Sequence, residues 1–191
     1  IGVFQPLSTL TGGLEINGTP GFQGKLTYDF KADAFTGHLW ASGISQRHDG
    51  FAGTPSYTGS GFDVGGKLGY GPLNVLGYYY GGSGLGTTGL FVFSTDALGR
   101  KRDSSGFYGQ ASLTFDKVTV AASYGQSKLD LARGEINPTL LDKNSSWVGQ
   151  VRYGLTSWVT LLAEYTHTKA EAQGPNAARS NTVSVGSILF F

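Results

Sequence analysis

The sequence predicts an all-β fold, a transmembrane antiparallel up-and-down β-barrel. Three observations predict it: a glycine-rich and aromatic-rich composition that is poor in charge, apolar residues alternating with polar ones, and connections that alternate between short and long. Glycine is 31 of 191 residues, more than twice the usual share of roughly 7 %. Charged residues are 14 %, against about 25 % in ordinary globular domains. Glycine is a poor helix former, and the 13 % of aromatic residues favour strands.

Charge and cysteine content exclude several function classes. The formal net charge is +1, and the densest basic run, Arg100-Lys101-Arg102, is followed at once by Asp103. That leaves nucleic-acid binding without a basic footprint. Cysteine is absent, so neither a disulfide framework nor a thiolate site is expected. The longest apolar helix candidate, around Trp158 to Ala163, falls far short of the roughly 20 residues needed to span a bilayer as a helix. Residues 1–20 have no charged n-region and no apolar core, so they do not read as a signal peptide.

The strands are read from alternation. Phe22, Gly24, Leu26, Tyr28 and Phe30 interleave with Gln23, Lys25, Thr27 and Asp29. The same period recurs at Phe62–Tyr70, at Phe107–Phe115 and, more weakly, at Trp147–Tyr153. Each segment thus has one apolar and one polar face. Strands of the opposite sense are expected at about 34–46, 73–82, 117–128, 157–169 and 181–191. Short turns are expected at Lys31-Ala32-Asp33, Gly71-Pro72, Asp116-Lys117 and Leu155-Thr156, and long loops at about 47–60, 83–103, 129–144 and 170–180. A meander whose two ends differ in this way fits a barrel with tight turns on one side of a membrane and long loops on the other.

Aromatic spacing gives the membrane its thickness. Phe22 and Phe30, Phe62 and Tyr70, and Phe107 and Phe115 each open and close an apolar face. Such a separation spans roughly 26 Å along a strand. At a tilt of ~40° the height is about 20 Å, close to the ~25 Å apolar band between two aromatic girdles. Tyr124 and Tyr165, with Tyr79, stand at matching positions in the returning strands. The alternative is a soluble barrel or sandwich, which would also alternate but would turn its apolar face inward.

The chain ends in an alternating strand closed by Phe191, with Val183, Val185, Ser187 and Leu189 on its outward face. That ending, together with Gly86-Thr87-Thr88-Gly89-Leu90, the run from Asp96 to Ser104, and Ala163-Glu164-Tyr165-Thr166-His167-Thr168, resembles the C-terminal part of a Gram-negative porin of the general-diffusion type. The resemblance implies a sixteen-stranded barrel in the bacterial outer membrane, a homotrimer, and a pore narrowed by an inward-folded third loop lying upstream of this sequence. Its implied partners are outer-membrane lipid, lipopolysaccharide and small hydrophilic solutes, with no cofactor and no nucleic acid.

Nine to ten strands are expected over a single domain, residues 1–191. Residues 3–16 are a poor tenth strand because of Pro6 and the Gly12-Gly13 pair. Either the chain is part of a larger porin barrel, incomplete at its N-terminus, or it is a small closed barrel with a structural or adhesive role through its outer loops. The polar face favours the first reading. It is read as mostly small residues, such as Thr27, Gly65, Ser112, Thr119 and Ser184, and a narrow lumen needs bulkier filling.

For a pore the relevant chemistry is lumen electrostatics. The expected lining is Lys25, Lys67 and Arg152 against Asp29, Asp63 and Glu164, with Gln110 between them. With three charges of each sign, the sequence assigns no selectivity. No catalytic set and no metal site are expected. An outer-rim hydrolase would need His167 with Glu164, or His48 with Asp49, to meet a serine. Asp49, Asp142 and Glu171 could hold a divalent ion only as outer-loop carboxylates generally do. His38 is placed inward. The patch Leu90-Phe91-Val92-Phe93 is expected to pack into the barrel mouth, to meet a neighbouring subunit, or to extend the strands.

Overall fold

The structure, a computed structural model, describes residues 1–6, 18–50, 55–87 and 91–191. The Gly12-Gly13 pair and Thr88-Gly89-Leu90 lie outside the described residues. Among those described there are ten strands: β1 (Gly2–Phe4), β2 (Gly21–Ala32), β3 (Phe35–His48), β4 (Tyr57–Tyr70), β5 (Leu73–Ser83), β6 (Asp103–Phe115), β7 (Val118–Leu129), β8 (Leu141–Gly154), β9 (Val159–Ala172) and β10 (Ala177–Leu189). They form one sheet in chain order, every neighbour antiparallel. Because β1 and β10 do not pair with each other, the sheet is open.

The turns at one end are tight. β2–β3, β4–β5 and β6–β7 are joined by Asp33-Ala34, Gly71-Pro72 and Asp116-Lys117. The first residue of each has a positive φ, 50°, 53° and 50° respectively, a conformation that glycine adopts freely and aspartate tolerates. At the other end the strands run further than their hydrophobic pattern. The connection expected at 170–180 is only 173–176, so the strict alternation of short and long fails at the last hairpin. Polar pairs explain it: Ser180 is paired with Thr168 and Arg179 with Lys169. Beyond an apolar band the ladder needs no apolar face, because water satisfies the side chains while the backbone still pairs.

The two faces separate as alternation requires. Leu26, Val64, Leu68, Val120, Val151 and Val185 all lie on one face, and all are exposed, Leu26 at 79 % and Val185 at 81 %. No second layer covers this face. The buried apolar side chains among the described residues are Leu85, Phe91, Leu129, Ala132 and Leu140, all at the long-loop end. A soluble sandwich would pack its apolar face against another sheet. Here a continuous exposed apolar surface far larger than a soluble monomer tolerates needs lipid.

Rings mark both edges of that face. Phe35 stacks on Tyr70 at 4.5 Å near the tight turns, and Trp147 meets Tyr165 at 5.2 Å near the loops. Phe62 with Tyr79 and Phe107 with Tyr124 continue the upper row at 6.1 and 5.7 Å. Among the expected girdle residues, Phe22, Phe62, Tyr70, Phe107, Phe115, Tyr124, Tyr165 and Phe191 are exposed, and Phe30 is half-buried.

Glycine on the polar face makes room for large rings. A methyl group at Gly65 would overlap the Trp40 indole and lie 2.6 Å from the Tyr78 Cβ. Gly65→Val is therefore expected to destabilise the folded barrel by about 1–3 kcal/mol through overpacking. Urea unfolding followed by heat-modifiable gel mobility measures it, with Gly109→Val as the reference because a methyl there meets nothing within 4 Å.

Candidate functional site

Strand register builds the polar face row by row. Asp29, His38, Lys67, Leu76, Gln110, Ser123, Val148 and Thr166 are consecutive partners across β2 to β9. Lys25, Ser42, Asp63, Tyr80 and Gly106 form another row. The expected lining residues Lys25, Asp29, Asp63, Lys67, Gln110, Arg152 and Glu164 thus share one face. The face is concave: one hollow of about 760 Å³, running from β2 to β9, takes in Lys25 and Asp63 of these residues, and a second of about 460 Å³ takes in Asp29 and Lys67.

Four of the six expected charges, Asp29, Asp63, Arg152 and Glu164, are hydrogen-bonded along the wall. His38 Nδ1 donates to Asp29 at 2.6 Å. Asp63 accepts from Trp40 Nε1 at 2.7 Å and from the Ser42 hydroxyl. Arg152 donates to Gln150 at 2.5 Å, Gln150 to Glu164 at 2.9 Å, and Thr166 to Glu164 at 3.0 Å. Such hydrogen bonding holds these side chains against the wall.

The face is not as uniformly small as the sequence reading has it. Trp40, Tyr78, Tyr80 and Tyr108 all line the hollow. Tyr78 and Tyr80 flank the outward Tyr79, so parity within β5 alone is the signal that places them inward.

The described residues of segment 84–102, which are 84–87 and 91–102, fold over this same face. Gly84 and Gly86 carry positive φ, which turns the chain back from β5, and Gly84 N donates to Arg102 O at 2.8 Å. Leu85 packs on Gly61 and Gly82, where added methyl groups would overlap it. Phe91, 1 % exposed, lies against His48 at 4.7 Å, and His48 stacks on Tyr57 at 4.6 Å. His48, Tyr57, Gly59 and Gly61 belong to the Asp63 face by register. Of the readings for the apolar patch, packing into the mouth describes Phe91. Strand extension does not, because among the described residues there only the isolated bridges Thr87–Val92 and Thr95–Lys101 occur.

Ion pairs fix that segment. Arg102 Nε and Nη2 donate to the two Glu135 carboxylate oxygens at 2.8 and 2.5 Å, and Arg102 Nη1 donates to Phe93 O at 2.9 Å. Both side chains are buried, 6 % and 9 % exposed. The Arg102 guanidinium holds the Glu135 carboxyl below its ordinary value, against the opposing effect of burial. Burial pushes Asp96 up, but the Arg100 guanidinium and the N–H groups of Arg100 and Leu98 outweigh it, and the net shift is downward. Phe91 and Phe93 sit at φ 59° and 60°. For bulky residues this costs about 1–3 kcal/mol each, and the surrounding contacts hold them there.

Of the histidine pairings considered from sequence, that of His167 with Glu164 does not form. His167 is paired with Trp147 and Asn181, and Glu164, three residues earlier, points to the opposite face. His167 Nδ1 donates to Asn181 Oδ1 at 2.7 Å. His48 is packed between two rings, while Asp49 accepts from Arg47 and Gly18. Glu171 bridges Lys143 and Lys169 at 2.9 and 2.6 Å, so its carboxylate is neutralised by lysines. Among the described residues no group of three metal-ligating side chains comes together.

Comparison with known proteins agrees with this architecture. The fold is similar to that of the outer membrane channel DcaP of Acinetobacter baumannii, with a TM-score of 0.81 at 16 % identity. The likeness covers 97 % of this chain and 56 % of that one, so the chain spans little more than half the length of that channel. No curated protein sequence matches the chain. The match to the Gram-negative porin family runs over residues 8–173. With the two-faced, all-antiparallel sheet that such a match requires, the chain belongs to the Gram-negative porin family, whose place is the bacterial outer membrane.

Proposed function

We propose that the chain forms part of the wall of a water-filled channel through which small hydrophilic solutes diffuse passively, without catalysis or cofactor. One observation carries the reading: a concave polar face lies back to back with a continuous apolar face, in a sheet whose two edges are unpaired among the described residues. Backbone groups unpaired in lipid cost several kcal/mol each. An edge as long as Ala177–Leu189 therefore needs further strands to close on. We read the ten strands as an arc of a larger barrel. Lys25, Asp29, Asp63, Lys67, Gln110, Arg152 and Glu164 then line its lumen, and segment 84–102 narrows the mouth. The outward rings sit at the two lipid boundaries.

Planar-bilayer conductance tests this. The 191-residue chain is expected to give no stable steps, and the full-length polypeptide that carries it is expected to give large steps proportional to salt. Stable steps from the 191-residue chain alone would mean that it closes by itself. Silence from both would overturn the channel reading in favour of a structural barrel.

A further inference from the structure

The inner aromatic residues are arranged as a platform. Register places Trp40, Gly65, Tyr78, Tyr108 and Gly125 in one row across β3 to β7, so glycines adjoin the large rings. The consequence is geometric. A methyl at Gly65 would lie 2.7 Å from Trp40 Cε2, and one at Gly125 would lie 3.2 Å from Tyr108 Cδ2. One row away, a methyl at Gly106 would lie 2.8 Å from Tyr80 Cζ. The rings of Trp40, Tyr108 and Tyr80 therefore lie against neighbouring glycines, and all three line the hollow together with Tyr78. Tyr78 and Tyr108 are stacked side by side, with centroids 5.7 Å apart and planes 29° apart.

Hydrogen-bonding groups stand at the rim of this flat surface. Asp63 is held by Trp40 Nε1 and the Ser42 hydroxyl. Lys25 Nζ lies 5.5 Å from the Trp40 ring centroid. Tyr108 Oη donates to Gln110 at 2.6 Å. The one cation and one anion cancel, so the surface favours no sign of charge. A purely apolar ring solute would desolvate these groups without replacing their water. A solute with a flat C–H face and hydroxyls around its edge matches both parts.

We infer that the glycine-backed rings of Trp40 and Tyr108 and the Tyr78 ring stacked beside Tyr108, with Asp63 and Lys25 at their edge, form a binding subsite for neutral pyranose sugars on the channel wall. This rests on the channel reading only for its place in transport. Binding itself can be measured without current.

The test uses the full-length polypeptide in two assays, with maltotetraose as the probe. In detergent, maltotetraose is expected to change tryptophan fluorescence saturably. In a planar bilayer it is expected to block ion current saturably, whereas polyethylene glycol of equal hydrodynamic size lowers current linearly. Tyr78→Leu, which keeps bulk and loses the flat face, is expected to weaken both effects by roughly five- to tenfold, the size of one stacking contact. Tyr78→Phe is expected to restore them. Heat-modifiable mobility checks that each variant folds. Current without saturable sugar block, no saturable change in fluorescence, or unchanged affinity in folded Tyr78→Leu would overturn the subsite. A silent bilayer with saturable fluorescence would overturn the channel and leave the subsite standing.

Discussion

Ala122→Arg is expected to prevent insertion of most of the protein into membranes, while Ala121→Arg leaves insertion near the native level. The two residues are neighbours on β7 and differ only in the face they occupy. Ala122 is exposed on the apolar face, between Val120 and Tyr124, and is paired with Ala111 and Gly149. Ala121 is paired with Ser112 and Gln150 on the polar face. Arginine on the lipid face near the bilayer midplane costs about 2–4 kcal/mol, a large share of a marginal folding free energy. On the polar face the same side chain reaches water and the Gln150 amide. The measurement is the folded fraction after refolding into lipid vesicles, read by gel mobility. The Ala121→Arg channel is also expected to favour anions more than the native one, because it adds a lumen cation to a face with balanced charge. Equal folding yields for the two variants would mean that the faces are not lipid and lumen.

The second large effect concerns the segment over the mouth. Arg102→Ala leaves Glu135 buried without its bidentate partner and removes the donor to Phe93 O. Loss of one member of a buried pair costs about 3 kcal/mol, which raises the open population of segment 84–102 about a hundredfold. Tryptic cleavage at Arg100 and Lys101 is expected to speed up by that factor, with higher and noisier conductance. Native cleavage rates in the variant would show that Leu85 and Phe91 hold the segment unaided. The pH dependence has a definite sign. Glu135 is depressed below its ordinary 4.5 and Asp96 below its ordinary 3.8. Their contributions are therefore complete above those ordinary values and are lost as pH falls through the lower folded-state values. The segment should stay protected from neutral pH down to the ordinary carboxylate range and loosen only in stronger acid. Proteolysis with an acid-active protease across that range reads it.

How much of this was legible without coordinates follows from the range of each interaction. The strands from Phe22 to Phe30 or Phe107 to Phe115 declare themselves because a period of two is a property of one strand. Once lipid is the outer solvent, parity alone assigns Leu26 outward and Lys25 inward. Tight turns are equally local: Asp33, Gly71 and Asp116 sit where a positive φ is needed. The end of β9 was not legible, since polar residues pair in a ladder as readily as apolar ones once the chain leaves the apolar band. Trp40 over Gly65 and Tyr108 beside Gly125 depend on the register between neighbouring strands, which the period of two within one strand does not fix. So does Arg102 on Glu135, which joins two loops across β6 and β7. The sequence by itself determined a two-faced β-sheet, its membrane band and the face of each residue, because these follow from backbone periodicity and the solvent on either side. The tertiary structure decided which side chains meet on the concave face and how segment 84–102 is pinned over it, because those contacts arise only when strand register and curvature bring distant residues together.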